Sequence, residues 1–441
     1  MNNETFSVIC EIELQNCVVF SKLNVEKRLG KMKKYICLSC QYRYFEEGKD
    51  SGGFVPALST SQEDYEKNAK CNVCGQKITQ NGAKEDAELF LSAIRNPQII
   101  VVAFTAPSIR TSLGEMFGME PGSDVTGKMV SAIKALGVDY CFDMNFGADL
   151  TTLEESKEFF ERIKTGENLP MLTSCCPAWV SFVEKAYPDF KKNLSTCKSP
   201  QQMFGAVLVN YFAKKLGVEP TRLFVTSIVP CLAKKLERVR PGENTSKVYD
   251  VDCTLTTVDL ANILKLKKID FCHLPDADFD NEFSLSSGAG TYFGNSGGVL
   301  QSILEENAEK QGKALTSGLS VGLANIKECK VNIDGKDVWV ACASGLKNAK
   351  LLLENIKSGK NKYSLIEIMA CEGGCVGGSG QPSSKGDSEI VGKRATALKK
   401  RADMQIYKTS DQNVAVSQLY ETYFGGVGSK KAKALLHVKR Q

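Results

Sequence analysis

Residues 367–382 read Glu367-Ile-Met369-Ala-Cys371-Glu-Gly373-Gly374-Cys375-Val-Gly377-Gly378-Ser-Gly380-Gln-Pro382, two cysteines set among five glycines directly after a β-rich run, Leu365–Met369. Glycine lacks Cβ, so backbone N–H groups in such a loop can approach the sulfurs of a metal cluster closely. Two more stretches carry cysteines in unusual company. In Thr173-Ser-Cys175-Cys176-Pro177-Ala-Trp179 the thiols are adjacent and cannot easily both reach one site. Pro177 suits the first position of a helix running through Val183, which puts Cys176 at a helix N-terminus where a thiolate is stabilised. Val229-Pro230-Cys231-Leu-Ala-Lys234-Lys235-Leu-Glu237 places an ammonium three residues beyond a thiol, where it can hold an anionic ligand. Cys176, Cys231, Cys371 and Cys375 supply four thiolates from three distant loops, the number a 4Fe-4S cluster takes.

Around these loops, β-rich and helical patterns alternate. Strands are expected at residues 98–104, 223–229, 338–342 and 365–369, and helices at 128–136, 258–266 and 346–356. That alternation predicts α/β layering: a two-lobed catalytic domain of mixed sheets flanked by helices over residues 97–441. Before it come a leader (1–32), a cysteine-bounded module (33–80) and a connecting helix within 81–96.

The module holds Cys37 and Cys40 in one CxxC knuckle and Cys71 and Cys74 in another, enough thiolates for one tetrahedral ion. Tyr42 and Tyr44, the Gly52-Gly53 middle and the closing Cys71-Asn-Val-Cys74-Gly75 resemble rubredoxin, which implies iron; four cysteines on two knuckles equally describe a zinc ribbon.

Composition agrees with metal chemistry. Seventeen cysteines and no secretory leader pattern point away from disulfides, and a cytoplasmic setting is expected. Cys10, Cys17, Cys141, Cys253, Cys272, Cys329 and Cys342 stand alone and read as small core residues. No apolar run approaches the roughly 18 residues of a membrane helix. The net charge of +5 gathers partly in Lys430, Lys431, Lys433, Lys439 and Arg440, read as a solvated tail; nothing suggests a nucleic-acid partner.

Taken in order, TSCCPxW, PCxxKxxE and ExMACxxGCxxGxGQP resemble the three signature segments of the FeFe hydrogenases. Ala106-Pro107-Ser108, Phe117-Gly118, Phe146–Leu150, Ser199–Gly205 and Phe293-Gly294 extend the resemblance from about residue 97 to near the end of the chain. It implies reversible reduction of protons to hydrogen at a 4Fe-4S cluster bridged to a two-iron subcluster with CO, CN and a bridging dithiolate. Cys375 would be the bridge, with Cys176, Cys231 and Cys371 as the other ligands. Lys234 would hold one cyanide and Pro107 and Ser108 the other, with Met369 and Phe293 walling the cavity. Cys175, left without iron, would carry protons. Glu155, Glu158 and Arg162 share a helix face beside the apolar Leu153, Phe159, Phe160 and Ile163. With Ser195 they match the family's relay, a route from Arg162 through Glu158, Ser195 and Glu155 to Cys175. Val229 departs from the methionine usual there. An electron-transfer protein such as a ferredoxin and hydrogenase maturation proteins are the partners implied. The alternatives are a hydrogen sensor or an iron-sulfur protein that holds cubanes alone.

Overall fold

The computed structural model describes residues 86–439 apart from 246–248, 281–282, 309–325, 334 and 360–361, together with the backbone of three short strands nearer the N-terminus. The chain divides into Met1–Ala83 and Lys84–Gln441. In the first unit β1 (Lys34–Cys37), β2 (Arg43–Phe45) and β3 (Ile78–Gln80) pair antiparallel in the order β2-β1-β3. The leader and the side chains of Cys37, Cys40, Cys71 and Cys74 lie outside the described residues.

The second unit opens with helix α1 (Asp86–Ala93), followed by strands β4 (Ile100–Thr105), β5 (Tyr140–Asp143), β6 (Met171–Leu172), β7 (Leu223–Val229), β8 (Cys253–Thr256), β9 (Ile326–Ile333), β10 (Lys336–Ser344) and β11 (Tyr363–Met369). They form two sheets. One, ordered β5-β4-β7-β8, is parallel throughout; the other, β6-β11-β10-β9, is parallel except for the β9-β10 hairpin. Parallel strands are covered on both faces, so they read as continuous apolar runs. In β11 the faces separate with period two. Leu365 and Met369 join the cluster of Phe159, Val299 and Ile303, whereas Ile366 and Ile368 pack with Trp179, Val180 and Leu352.

Helices α2 (Thr126–Ala135), α3 (Asn145–Thr165), α4 (Pro177–Ala186), α5 (Pro200–Val207), α6 (Ala233–Glu237), α7 (Thr257–Leu266), α8 (Gly298–Ala308), α9 (Leu346–Lys357), α10 (Ser388–Asp403) and α11 (Lys430–Leu436) cover the sheets. The expected two-lobed α/β architecture is present. Some element ends differ for local reasons. β4 starts two residues late because Asn96 closes a turn by accepting from the Gln98 N–H. α2 starts early because Asp124 accepts from the Thr126 N–H. The basic C-terminus is not a loose tail: Ala432 and Leu436 of α11 are core residues, while Lys430, Lys431, Lys433 and Lys439 point outward. No helix among the described residues is long and apolar enough to cross a membrane.

Candidate metal centre

Loops from the C-terminal ends of β4, β6, β7 and β11 converge, the place where ligands gather in α/β sheets. From them Ala106, Pro107, Ser108, Cys175, Cys176, Pro230, Cys231, Lys234, Ala370, Cys371 and Cys375 surround one cavity of about 80 Å³. Cys176, Cys231, Cys371 and Cys375 all line it, as do Cys175, Lys234, Pro107, Ser108, Met369, Phe293 and Val229. Every residue expected to hold the cluster or wall its cavity therefore faces one space.

Cys176 is the N-cap of α4 with Pro177 at the first turn, as the sequence predicts. Burial, reinforced by neighbouring cysteines, pushes the Cys231 thiol up to about 12 and Cys371 up to about 11, and Cys375 well above the usual thiol range. A metal that binds such thiols must displace their protons. The Ser379 N–H in the glycine-rich loop reaches Cys371, as expected there, and the Lys234 N–H at the start of α6 reaches Cys231.

The glycines serve a second purpose that sequence alone does not reveal. Gly380 N–H donates to Pro230 O at 2.8 Å, and a Cβ on Gly378 would stand 2.2 Å from the same oxygen. The two cysteine loops thus lie backbone on backbone. Gly378→Ala is expected to cost about 1–3 kcal/mol through this overlap and to lower the iron retained per chain, measured by thermal unfolding and metal analysis.

Lys234 Nζ donates to Glu237 Oε2 at 2.8 Å and to Cys175 O at 3.0 Å, while Glu237 accepts from Ser199 Oγ at 2.7 Å. Burial opposes the ammonium, but Glu237 more than offsets it and raises its pKa. Also on the lining, the Ser108 hydroxyl is fully buried and has no hydrogen-bond partner. A buried cation and an orphaned hydroxyl on an otherwise apolar cavity suit small anionic ligands, since an unpaired buried hydroxyl costs about 1–3 kcal/mol. The donor set of four thiolates, one lysine and one serine fits the implied cluster.

Behind Cys175 runs α3. Arg162 donates to Glu158 Oε1 at 2.6 Å, and Ser195 Oγ donates to Glu158 Oε2 at 2.9 Å. Burial raises the Glu158 carboxyl, but Arg162 and Ser195 outweigh it and the net shift is downward. Glu155 is fully buried and accepts from the Ser174 N–H at 3.4 Å, one residue from Cys175. Burial first, then Glu155, holds the Cys175 thiol well above its ordinary pKa.

Three features have no signal in the sequence reading. Cys197 and His437 flank Glu158, with the thiol 3.7 Å from Glu158 Oε2. Glu367 accepts from Gly297 and Leu300 N–H at the start of α8. Arg394 of α10 reaches across to the glycine loop. Each joins segments remote in the chain, where single-sequence patterns carry no information. Of the lone cysteines, Cys141, Cys253 and Cys342 are buried, and Cys272 is exposed.

Four cysteines and a lysine around one cavity suit an iron-sulfur cluster, and the fold is that of the FeFe hydrogenases. Residues 99–379 match the family of the iron-only hydrogenase large subunit, C-terminal domain, and residues 388–439 match the iron hydrogenase small subunit. The chain is 39% identical, over 88% of its own length and 69% of the relative's, to the NADP-reducing hydrogenase subunit HndD of Solidesulfovibrio fructosivorans. The structure of apo FeFe-hydrogenase HydA1 from Chlamydomonas reinhardtii superimposes with a TM-score of 0.72 at 34% identity, covering 80% of this chain and 98% of that one. A cytosolic iron-sulfur assembly component 3 from Mus musculus is 28% identical over 96% of this chain and 92% of its own. The chain belongs to the iron-only hydrogenase large-subunit family, with the small-subunit segment on the same polypeptide.

Proposed function

We propose that this protein catalyses the reversible reduction of protons to hydrogen, two protons and two electrons per molecule. The observation that carries this reading is the placement of Cys175, Lys234 and Ser108 on the cavity that the four cluster thiols line. A protein that held a cubane alone would have little use for a buried lysine, an orphaned hydroxyl and a protonated thiol there.

Cys176, Cys231 and Cys371 would hold the cubane and Cys375 would bridge it to the two-iron subcluster. When bound, that group would relay electrons from the external donor and supply the iron chemistry by which protons are reduced. The CO, CN and dithiolate ligands belong to this proposal, with Lys234 and Ser108 as partners of the two cyanides beside Pro107. Met369 and Phe293, both buried, shield the cavity from bulk water. Cys175 keeps its proton at neutral pH because burial and Glu155 disfavour the thiolate. It can give that proton to the cavity and be reloaded from Glu155. Glu158, pinned by Arg162 and Ser195, stands at the outer end, on a cleft of about 540 Å³. Electrons would come from a ferredoxin-like protein, through iron in the Cys37, Cys40, Cys71 and Cys74 module or, if that module holds zinc, directly at the cubane. Maturation proteins would insert the two-iron group.

Hydrogen evolution by the anaerobically matured protein with a reduced dye tests the reading, beside infrared detection of cyanide and carbonyl bands. Bands with turnover are expected. Bands without turnover would indicate a sensor, and cubane signals without bands after maturation would indicate the assembly-type relatives' role.

A further inference from the structure

Glu158 and His437, on the wall of this cleft, meet the fully buried Cys197 in a second constellation. Cys197 Sγ lies 3.7 Å from Glu158 Oε2 and 4.0 Å from His437 Nδ1, and one ligand atom of each residue falls within 4.8 Å of the others. A tetrahedral zinc ion with Zn–S near 2.3 Å and Zn–N near 2.0–2.1 Å separates neighbouring sulfur and nitrogen ligands by roughly 3.5 Å. The Cys197–Glu158 pair already has nearly this spacing, and binding draws His437 Nδ1 inward onto it.

The ring orientation is set from behind. Glu154 is fully buried and accepts from Tyr420 Oη at 2.8 Å and from Gly428 N–H at 3.1 Å. His437 Nε2 meets Glu154 Oε2 at 2.9 Å, so the accepting carboxylate places the ring proton on Nε2. Nδ1 then carries the lone pair and accepts from the Thr196 hydroxyl at 2.8 Å, while Cys197 Sγ stands beside the ring, 4.0 Å from Nδ1 and 3.9 Å from Nε2. A carboxylate that accepts from one ring nitrogen is the partner that commonly orients metal-ligating imidazoles.

We propose that Glu158 Oε2, Cys197 Sγ and His437 Nδ1 form a binding site for a zinc-class divalent cation, with water from the cleft as fourth ligand. Binding displaces the Cys197 proton to solvent and moves the Thr196 hydroxyl off Nδ1. Two carboxylates, one thiolate, the Arg162 guanidinium and a dication then sum to zero charge, so the buried cluster is electrically balanced. Softness of the thiolate and imidazole selects zinc or cadmium over magnesium or calcium. The consequence for turnover rests on the hydrogenase reading: a cation on Glu158 removes the outermost carboxylate of the proton route, and zinc inhibits.

The cubane-loaded protein is dialysed against zinc chloride and its bound metal counted, beside Cys197→Ser and His437→Gln. Zinc taken up by the N-terminal knuckles is common to all three. Wild type is expected to hold one equivalent more than either variant, and Glu154→Gln to bind that equivalent about 10-fold more weakly. Equal zinc in all three proteins overturns the site. Hydrogen evolution is then assayed with and without zinc. Inhibition reversed by chelator, and lost in His437→Gln relative to that variant's own zinc-free rate, supports the blockade. Zinc bound without inhibition leaves the site standing and overturns the place of Glu158 in the proton route.

Discussion

Cys175→Ala in the matured protein is expected to lower hydrogen evolution by about 10²–10⁴-fold, the range that a positioned acid-base group contributes. The cause is local. Cys175 lines the cavity but is adjacent to Cys176, the N-cap of α4, and the four thiols around the cavity are complete without it. Its backbone carbonyl, which accepts from Lys234, survives the substitution, so the ammonium keeps its place. The variant should therefore retain wild-type iron and unchanged cubane spectra while losing turnover. The thiol is what changes: burial and Glu155 keep it protonated at neutral pH, and alanine holds no proton. Activity within a few-fold of wild type, at equal iron, would mean that protons enter elsewhere. Glu158→Gln should cost less, because its cleft admits water that can partly replace a carboxylate.

Much of this site is legible in the sequence because its chemistry is local. The Pro177 helix start, the Pro230-Cys231 strand end and the Cys371–Gly380 loop each place a ligand within a few residues of a readable signal. Leu223–Val229 is read at the bounds it has in the fold, since a buried parallel strand between turn signals offers no competing pattern. The edge strand β9 is not anticipated: Glu328, Lys330 and Asn332 face water, so its apolar content is low. The polar helix α10 is likewise missed, because its stability comes from Val391, Arg394, Leu398 and Ala402 meeting distant segments rather than from its own periodicity. The proposed relay is half legible. The spacing of Glu155, Glu158 and Arg162 identifies one face of α3, but Cys197, His437 and Glu154 become neighbours only once the segment after α11 lies beside the middle of that helix.

Arg394→Met is expected to destabilise the protein by about 3–5 kcal/mol, the cost of removing one partner from a buried ion pair. Arg394 is almost wholly buried, and its Nε and Nη2 donate to the two Glu115 oxygens at 2.6 Å each. This fork-to-fork geometry is the strong form of the pair. The same guanidinium donates to Val376 O at 3.1 Å and Pro382 O at 2.8 Å, which bracket the glycine loop after Cys375. Methionine fills much of the volume but leaves Glu115 without its counter-charge and both carbonyls without these donors. The destabilisation is read from urea unfolding of the cluster-free protein. Adding Glu115→Gln should recover part of the loss, because it removes the stranded charge but not the orphaned carbonyls. Cluster loading gives the second readout: Arg394 lies in the segment that matches the small subunit, so a loosened loop at Cys375 would lower iron per chain in both variants. Full stability and iron content in Arg394→Met would show that the loop holds its shape without α10.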